Sequence, residues 1–246
     1  AVCQDGVFDQ AVSAIREAHR RGFRININST LFEGVDTKRM ANFFDHMMEL
    51  DVEGITVSPG FSYERAPDQD HFLKREKTRQ LFRDIFRHNG KRKWRFSHSF
   101  MFLDFLAGNQ TYHCTPWGNP TRNIFGWQRP CYLLDEGYAG NFKELMEETD
   151  WQSYGTGNYE KCANCMAHCG YEATAVTDIV AKPWKAVILA LRGIRTEGPM
   201  ALDIALENAR PAEYARDERV EIAMKEDAEL KSRNSGGRKA TICDAA

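Results

Sequence analysis

The chain has 246 residues, of which 42% are hydrophobic and 28% are charged, and its formal net charge is -2. This composition is typical of a globular protein with one large domain or two modest ones, and it gives no reason to expect a nucleic-acid partner. No stretch approaches the roughly 20 apolar residues of a transmembrane helix, and the opening residues "AVCQDGVFDQ" lack a signal-peptide pattern.

Predicted helices and strands alternate through about the first hundred residues. Hydrophobic periodicity predicts, in chain order, a helix over 6–21, a strand over 23–32, a helix over 36–50, a strand over 54–59, a helix over 71–88 and a strand over 93–99. Such alternation is typical of an α/β fold, in which crossover helices connect parallel strands.

The first predicted strand has one polar face. Asn26, Asn28 and Thr30 alternate along it with Ile25 and Ile27. Strands of an open parallel sheet are normally apolar on both faces. The polar face therefore indicates either the ligand-lined lumen of a barrel or an edge strand with one face in water, and the sequence alone leaves both interpretations open.

The composition changes beyond about residue 105. Gly, Pro, Trp, Tyr and Cys become frequent, and we expect short strands with a turn between Cys114 and Cys131, then a short helix over 141–148. Residues 171–195 are predicted to be helical with a break at Pro183. The charged, Gly- and Ser-punctuated segment after them is predicted to be a partly disordered tail. The predicted domains are therefore 1–107, 108–195 and 196–246.

Three of the seven cysteines, Cys162, Cys165 and Cys169, lie close together. An odd, clustered set of cysteines favours metal binding in a reducing cytoplasm over a disulfide framework. On a continuous helix the three would share one face, as buried structural cysteines can, but Cys162 and Cys169 would be about 10 Å apart along the axis. If all three are ligands, we expect residues 158–165 to form a turn and a helix to begin near Cys165.

A fourth ligand must come from elsewhere in the chain. Cys114 and Cys131 are the candidates, with His168 as a weaker alternative. Thiolate-rich sites bind zinc or iron–sulfur clusters, and the single C-x2-C unit favours an iron–sulfur cluster. The spacing here, C-x2-C-x3-C, is the reverse of the C-x3-C-x2-C motif of radical S-adenosyl-L-methionine (SAM) enzymes, so it does not identify that motif.

The segment "KPWKAVILALRGIR", residues 182–195, is an apolar run with basic flanks. Two interpretations are open: a helix that lies in a membrane interface, and a helix packed in the core, which we favour. No Ser–His–Asp signature, phosphate-binding loop or dinucleotide fingerprint is present in the sequence.

Several long stretches resemble one known family. "DGVFDQAVSAIREAHRRGFRININSTLF" is similar to the fourth helix and fifth strand of radical SAM barrels. The similarity continues through "GITVSPGFSYERAPDQDHFL", "FLDFLAGNQTYHCTPWGNPTRN", "GWQRPCYLL" and "MEETDWQSYGTGNYEKCANCMAHCGYEATAV". From about Ala1 to Met200 the chain resembles the adenosyl-hopene transferases of hopanoid biosynthesis, which are radical SAM enzymes.

The resemblance implies a fold and an activity. The fold would be the C-terminal half of a partial (β/α)6 radical SAM barrel, followed by a small cysteine-rich α+β auxiliary domain of the SPASM/twitch type. The cofactors would be a [4Fe-4S] cluster and SAM, with flavodoxin or ferredoxin as external electron donor. The activity would be addition of a 5′-deoxyadenosyl radical to the alkene of diploptene, a hopene, forming adenosylhopane. The location would be the cytoplasm, with peripheral contact at the inner face of the cytoplasmic membrane.

The resemblance also implies site residues. By position, the SAM-binding residues would be Asn26, Asn28, Ser29, Ser58 and Gly60. The auxiliary cluster would take its ligands from five cysteines: Cys114, Cys131, Cys162, Cys165 and Cys169. Because a cluster with four coordination positions needs four thiolates, one of the five thiols would not be a ligand. Cys131 or Cys114 is therefore a candidate hydrogen-atom donor to the carbon radical that the addition reaction leaves.

The sequence departs from the family at one decisive motif. The C-x3-C-x2-C loop that holds the catalytic cluster is not present in these residues. We therefore expect this chain to be the C-terminal portion of the enzyme and to be unable to cleave SAM alone. Two alternatives remain: another radical SAM enzyme with an auxiliary cluster, such as a peptide-modifying one, and a non-catalytic metal-binding module that holds zinc.

Overall fold

A computed structural model describes residues 5–62, 70–90, 93–134 and 136–212, which have a mixed α/β fold. The chain divides into two compact units, one of which is Ile25–Glu213. The other unit contains helix α1, Val7–Arg20. This helix has nearly its predicted bounds and ends where Gly22 adopts a positive φ of 81°, a conformation that favours glycine.

Two parallel strands form the sheet that the β–α alternation predicts. β1, Asn26–Leu31, pairs with β2, Gly54–Pro59, and Asn28 lies beside Thr56 in their register. Helix α2, Thr37–Glu49, connects the two strands and so completes one parallel crossover unit.

The prediction of a third strand over 93–99 is wrong in its extent. Phe96 alone bridges to β2, through a parallel bridge to Ile55. After Phe96 the chain no longer pairs with β2. Instead, the Nε2 atom of the His98 side chain bonds to the carbonyl oxygen of Val57 in β2 (2.9 Å), and the following residues pass the end of that strand. A short side-chain interaction thus overrides the alternating pattern that predicted a longer strand.

Two helices complete this part of the fold. α3, Arg75–Arg87, begins later than the predicted start at residue 71. α4, Phe100–Leu106, was not predicted, because its run of apolar residues has no helical periodicity. Ser99 caps α4 by accepting a hydrogen bond from the backbone N–H of Phe102 (3.2 Å). The aromatic core beneath these helices includes Phe96, whose ring contacts those of α2 and α3.

The cysteine-rich part contains the short strands and helices that its sequence predicts. Three strands form an antiparallel sheet in the order β3-β4-β5. The elements are β3 Arg122–Asn123, β4 Gly126–Gln128, β5 Tyr138–Ala139, α5 Phe142–Glu148, α6 His168–Ala181 and α7 Pro183–Arg192. The predicted helix over 141–148 and the predicted break at Pro183 are confirmed.

Three buried arginines on α3 hold the segment that follows α7. Arg75, Arg79 and Arg83 recur at four-residue spacing, so they share one face of the helix. Arg75 and Arg79 both pair with Asp203 (2.6 and 3.3 Å), and Arg83 donates to the carbonyl of Gly198 (2.7 Å). The first part of the predicted tail therefore packs against α3. The rest of that tail, 213–246, lies outside the described residues.

Helix α7 is not packed in the core as we expected. Leu189 is buried, at 3% exposure, but Trp184, Val187 and Leu191 are exposed by 59%, 59% and 84%. The expectation of a core helix is therefore wrong for most of its apolar side chains.

Within the described ranges, no helix has both the length and the apolar content needed to cross a bilayer.

Candidate metal centre

Five cysteines from three separate parts of the chain line a single cavity. All five are free thiols. They are Cys114, Cys131, Cys162, Cys165 and Cys169. The fold therefore brings together every cysteine that the sequence offered as a candidate ligand.

A tight turn carries the first two cysteines of the clustered segment. Glu160–Cys162 forms a 3-10 turn, and the backbone N–H of Cys165 donates to the carbonyl of Cys162 (3.0 Å). Cys169 lies in the first turn of α6, which begins at His168. The predicted turn is confirmed, with the helix beginning slightly later than expected, and the interpretation of three cysteines on one continuous helix is wrong.

Backbone N–H groups point at the sulfur atoms of Cys131 and Cys162. Cys131 accepts hydrogen bonds from the N–H groups of Leu133 and Leu134, and Cys162 accepts one from the N–H of Gly155. Burial raises the pKa of both cysteines, and each bond partly offsets that rise because it favours the ionised thiolate. Such donors stabilise sulfur in the charge state that binds metal.

Cys165 and Cys169 are held in a similar way. The sulfur of Cys165 accepts from the backbone N–H of Ala167, and its carbonyl accepts from the buried Arg75 side chain (2.9 Å). The sulfur of Cys169 accepts from the hydroxyl group of Tyr132. Outer partners of this kind orient ligands in metal sites.

Cys114 reaches the cavity from the loop after α4. The next residue, Thr115, donates to the carbonyl of Gly170 through both its backbone N–H (2.8 Å) and its hydroxyl (2.9 Å). The sulfur of Cys114 then lies directly over Gly170, where a Cβ atom would overlap it. Glycine at position 170 thus allows the Cys114 loop to approach α6 closely.

We expect Gly170→Ala to lower the free energy of unfolding by about 2 kcal/mol, because the added methyl group displaces the sulfur in a packed interior. Alanine at an ordinary helical position would instead stabilise the protein. Urea unfolding under anaerobic conditions measures the difference. The double variant Gly170→Ala/Cys114→Ala is the control, since it removes the overlapping sulfur and should recover most of the loss. A double variant as unstable as the single one would contradict this explanation.

Burial raises the pKa of all five thiols, and nearby cationic side chains offset this only in part. Burial is the main cause that raises the pKa of Cys131 to about 12 and that of Cys162 to about 11. Burial likewise raises the pKa of Cys114, Cys165 and Cys169 above the usual range, and neighbouring cysteines raise the first two further. Without a cation the thiols are neutral at physiological pH, so metal binding would release their protons.

The donor set fits an iron–sulfur cluster better than a single ion. Within the described residues, no three or more His, Cys, Asp or Glu side chains are arranged, as they stand, to hold a metal ion. Zinc requires four ligands around one centre, with Zn–S distances of about 2.3 Å. A cluster instead binds its cysteines through different iron atoms, and therefore tolerates wider spacing. Five thiols around one cavity could therefore serve as ligands of a cluster.

The residues predicted to bind SAM lie at the two parallel strands. Asn26, Asn28 and Ser58 share the polar face, and the amide of Asn26 donates to the hydroxyl of Thr56 (2.9 Å). Ser29 lies on the opposite face of β1, because side chains alternate along a strand. The fifth residue, Gly60, follows β2, and its backbone N–H donates to the carbonyl of Leu31 (2.6 Å). The structure brings four of the five candidates to one side or end of the sheet and separates Ser29 from them.

A pair of histidines links the end of β2 to the cysteine helix. The Nδ1 atom of His168 lies 2.9 Å from the hydroxyl of Ser58, and the His168 and His98 rings are 5.5 Å apart. The Nδ1 atom of His98 pairs with Glu172 of α6 (3.2 Å). Burial and the neighbouring His98 lower the pKa of His168. His168 therefore contacts Ser58, and it is not among the residues that line the cysteine cavity.

Sequence reasoning missed the His98–Glu172 and Ser58–His168 contacts. Ser58 and His168 are 110 positions apart, and neither belongs to a spaced motif that would have predicted their meeting. These contacts join the strand end to α6 within the unit Ile25–Glu213.

The fold and site together define a mixed α/β protein with a five-cysteine cavity beside the end of a parallel strand. The chain belongs to the family described as "Domain of unknown function (DUF3463)", whose model matches residues 55–189. No curated protein matches the chain.

Among solved structures, the chain is similar to one described as native anSMEcpe with bound AdoMet. The two have 14% sequence identity and a TM-score of 0.44. The match covers 75% of this chain and 62% of that chain, so this chain spans less than two thirds of the neighbour's length.

Proposed function

We propose that this chain is the C-terminal portion of a radical SAM enzyme, with part of a catalytic barrel and an auxiliary iron–sulfur site. The observation that carries this proposal is the position of the five-cysteine cavity. Phe61, which follows β2, lines the cavity together with the cysteines. Because α/β folds place their sites at the carboxyl ends of parallel strands, a cluster here would adjoin the reaction side of a barrel.

The sheet itself supports a larger barrel. β2 pairs with β1 on one side and bridges to Phe96 on the other. Among the residues that the structure describes, no strand pairs with the outer edge of β1. An edge of this kind can accept a further strand. We propose that the other half of the barrel, with the C-x3-C-x2-C loop, adds at this edge.

The polar face of the strands is the proposed SAM contact. Asn26, Asn28 and Ser58 offer amide and hydroxyl groups that can hydrogen-bond to the polar groups of SAM. When bound, SAM and the catalytic cluster would supply a 5′-deoxyadenosyl radical. The chain's own residues would hold SAM in place, and the backbone of Gly60 would limit the space at the strand end.

The specific reaction that we propose is addition of this radical to the terminal alkene of diploptene, which gives adenosylhopane. Its support is the resemblance of residues 1–200 to adenosyl-hopene transferases. The electron for SAM cleavage would come from flavodoxin or ferredoxin. Cys131 or Cys114 remains a candidate for the hydrogen-atom donor, and the thiol that does not bind the cluster is the one available for that role. The thiyl radical that this transfer leaves would take one electron from the same external donor and one proton from solvent.

The test uses the full-length polypeptide that carries this chain, reconstituted anaerobically with iron and sulfide. With SAM, a reductant and diploptene, we expect 5′-deoxyadenosine to be released only in the absence of the alkene and adenosylhopane to form in its presence, both measured by mass spectrometry. The 246-residue chain alone should give neither product. 5′-Deoxyadenosine without adenosylhopane under every condition would favour the peptide-modifying alternative, and bound zinc without SAM cleavage would favour the non-catalytic module.

A matched pair of neighbouring residues tests the SAM contact in the same assay. Asn28→Ala should weaken SAM binding by about tenfold, since one hydrogen bond to a bound polar group is worth about 1 kcal/mol or more. Ser29→Ala, on the opposite face, should leave SAM affinity unchanged. Equal effects of the two substitutions would show that the polar face is not the SAM contact.

A further inference from the structure

Helix α7 carries an apolar stripe that none of the residues described by the structure covers. Trp184, Val187, Ile188 and Leu191 are exposed by 59%, 59%, 45% and 84%. Their spacing of i, i+3, i+4 and i+7 places them within an arc of about 100° on the helix surface. These four residues are called the α7 stripe below. Leu189 points to the other side, where it is buried and α7 contacts α4 and α6.

The charges around the α7 stripe are mainly positive. Residues 182–195 contain four basic residues and no acidic residue: Lys182, Lys185, Arg192 and Arg195. Asp178 pairs with both lysines, and the buried Asp104 lies 3.9 Å from Arg192. Four positive charges against two negative ones leave the surroundings of the stripe cationic.

We propose that the α7 stripe docks the protein onto the surface of an anionic lipid bilayer. A short helix with one apolar face, an exposed tryptophan and basic flanks is suited to lie in the plane of a membrane interface. Its ten residues are about 15 Å long, so the helix would insert along the surface rather than across the bilayer. The apolar side chains enter the acyl boundary, and the basic side chains remain at the level of the headgroups.

This inference goes beyond the proposed reaction and does not depend on it. A membrane-docked α7 would place the enzyme at the phase in which hydrocarbon substrates dissolve. α6 connects the stripe directly to the cysteine cavity, because Pro183 follows α6 with one intervening residue and Cys169 lies in the first turn of the same helix at its other end. Membrane docking would therefore give the site a fixed orientation toward the bilayer.

The test is co-sedimentation of the full-length polypeptide with vesicles of phosphatidylcholine, with and without phosphatidylglycerol. We expect binding to the anionic vesicles that weakens as salt is added. The variant Val187→Gln/Leu191→Gln should lower the partition coefficient into vesicles by about tenfold or more. The substitutions remove the favourable free energy of transferring two aliphatic side chains from water into lipid. Its iron content should stay unchanged, since neither residue lines the cysteine cavity.

Ile124→Gln is the matched control, because Ile124 is an aliphatic residue exposed by 89% in the β3–β4 turn. It should bind vesicles as the original protein does. Equal binding by the α7 variant, or no binding to either vesicle, would overturn the proposal. A different result would also overturn it: the original protein forms a dimer in lipid-free solution, the α7 variant does not, and both bind vesicles equally. A second copy of the chain would then be what occupies the stripe. Binding that appears only after removal of residues 213–246 would also overturn it, since the chain's own tail would then cover the stripe.

Discussion

We expect Cys165→Ala to lower the iron content of the anaerobically reconstituted full-length polypeptide by the amount that one iron–sulfur cluster holds. Cys165 is central to the cavity: its sulfur accepts a backbone N–H, and Arg75 holds its carbonyl at 2.9 Å. Removing a thiolate ligand leaves the cluster with an open coordination position, and the remaining thiols are deeply buried groups that ionise only with a cation present. Iron and sulfide analysis, with electron paramagnetic resonance of the reduced protein, measures the loss.

We expect the ligands to be the four cysteines whose pKa a hydrogen bond to the sulfur lowers, although burial raises the pKa of each overall. They are Cys131, Cys162, Cys165 and Cys169. The pKa of Cys114 is governed instead by burial and by the other cysteines, which raise it, and by Arg75, which lowers it. Cys114→Ala is therefore the matched control within the same cavity, and it should retain the cluster. Loss of iron in Cys114→Ala together with full iron in Cys131→Ala would reverse this assignment.

A Cys131 variant also distinguishes the two roles that Cys131 could have, cluster ligand and hydrogen-atom donor. If Cys131 is a ligand, Cys131→Ala loses the cluster. If Cys131 is the hydrogen-atom donor, the variant keeps its iron and cleaves SAM but forms no adenosylhopane. The hydrogen bonds from Leu133 and Leu134 favour the ligand role, because they stabilise a thiolate, whereas a hydrogen-atom donor must hold its proton. Unchanged iron and unchanged product would exclude both roles.

The largest loss of stability is expected for Arg83→Met on α3. Arg83 is 4% exposed, and it donates to the carbonyls of Ala107 (2.7 Å) and Gly198 (2.7 Å) and to the side chain of Asn109 (2.8 Å). Methionine matches the stem but removes all three hydrogen bonds, and it leaves the buried carbonyl of Ala107 unpaired, which alone costs about 1–3 kcal/mol. We expect the free energy of unfolding to fall by about 3 kcal/mol or more, measured by urea denaturation.

Arg87→Met is the control on the same helix. Arg87 is one turn further on and about half exposed, although it also donates to the following segment, at the carbonyl of Thr196 (3.1 Å). An exposed contact of this kind contributes less than about 1 kcal/mol. Should Arg83→Met cost no more than Arg87→Met, the buried arginines would not be what holds residues 196–203 to α3.

Local pattern predicted the elements that depend on short-range physics. The alternation of Asn26 and Asn28 with apolar residues predicted β1, and Pro183 predicted the break between α6 and α7, because a proline cannot continue a helix across its own position. The same reasoning failed for α4, whose apolar residues after the exposed Phe100 are buried on all sides, and for the third strand, where His98 bonds to a neighbouring strand instead of continuing the ladder.

The prediction for α7 failed because exposure is a property of the whole fold. Arg83 shows the same dependence in the other direction, since it is buried where carbonyl groups from two distant segments satisfy its donors. Leu191 reads as a core residue, yet it is among the most exposed side chains of the described chain. Hydrophobicity indicates which residues favour burial, but the neighbouring elements decide which are covered.

By itself, the sequence identified the candidate residues: the spacing of Cys162, Cys165 and Cys169 predicted a turn if all three are ligands, and thiol chemistry made a metal site the expectation. Only the tertiary structure decided that Cys114 and Cys131 enter the same cavity and that Ser58 meets His168 at the end of β2. The physical reason is range. Spacing, capping and turn preferences act over a few residues, whereas a shared site requires long loops to close, and the packing of the whole unit determines which loops meet.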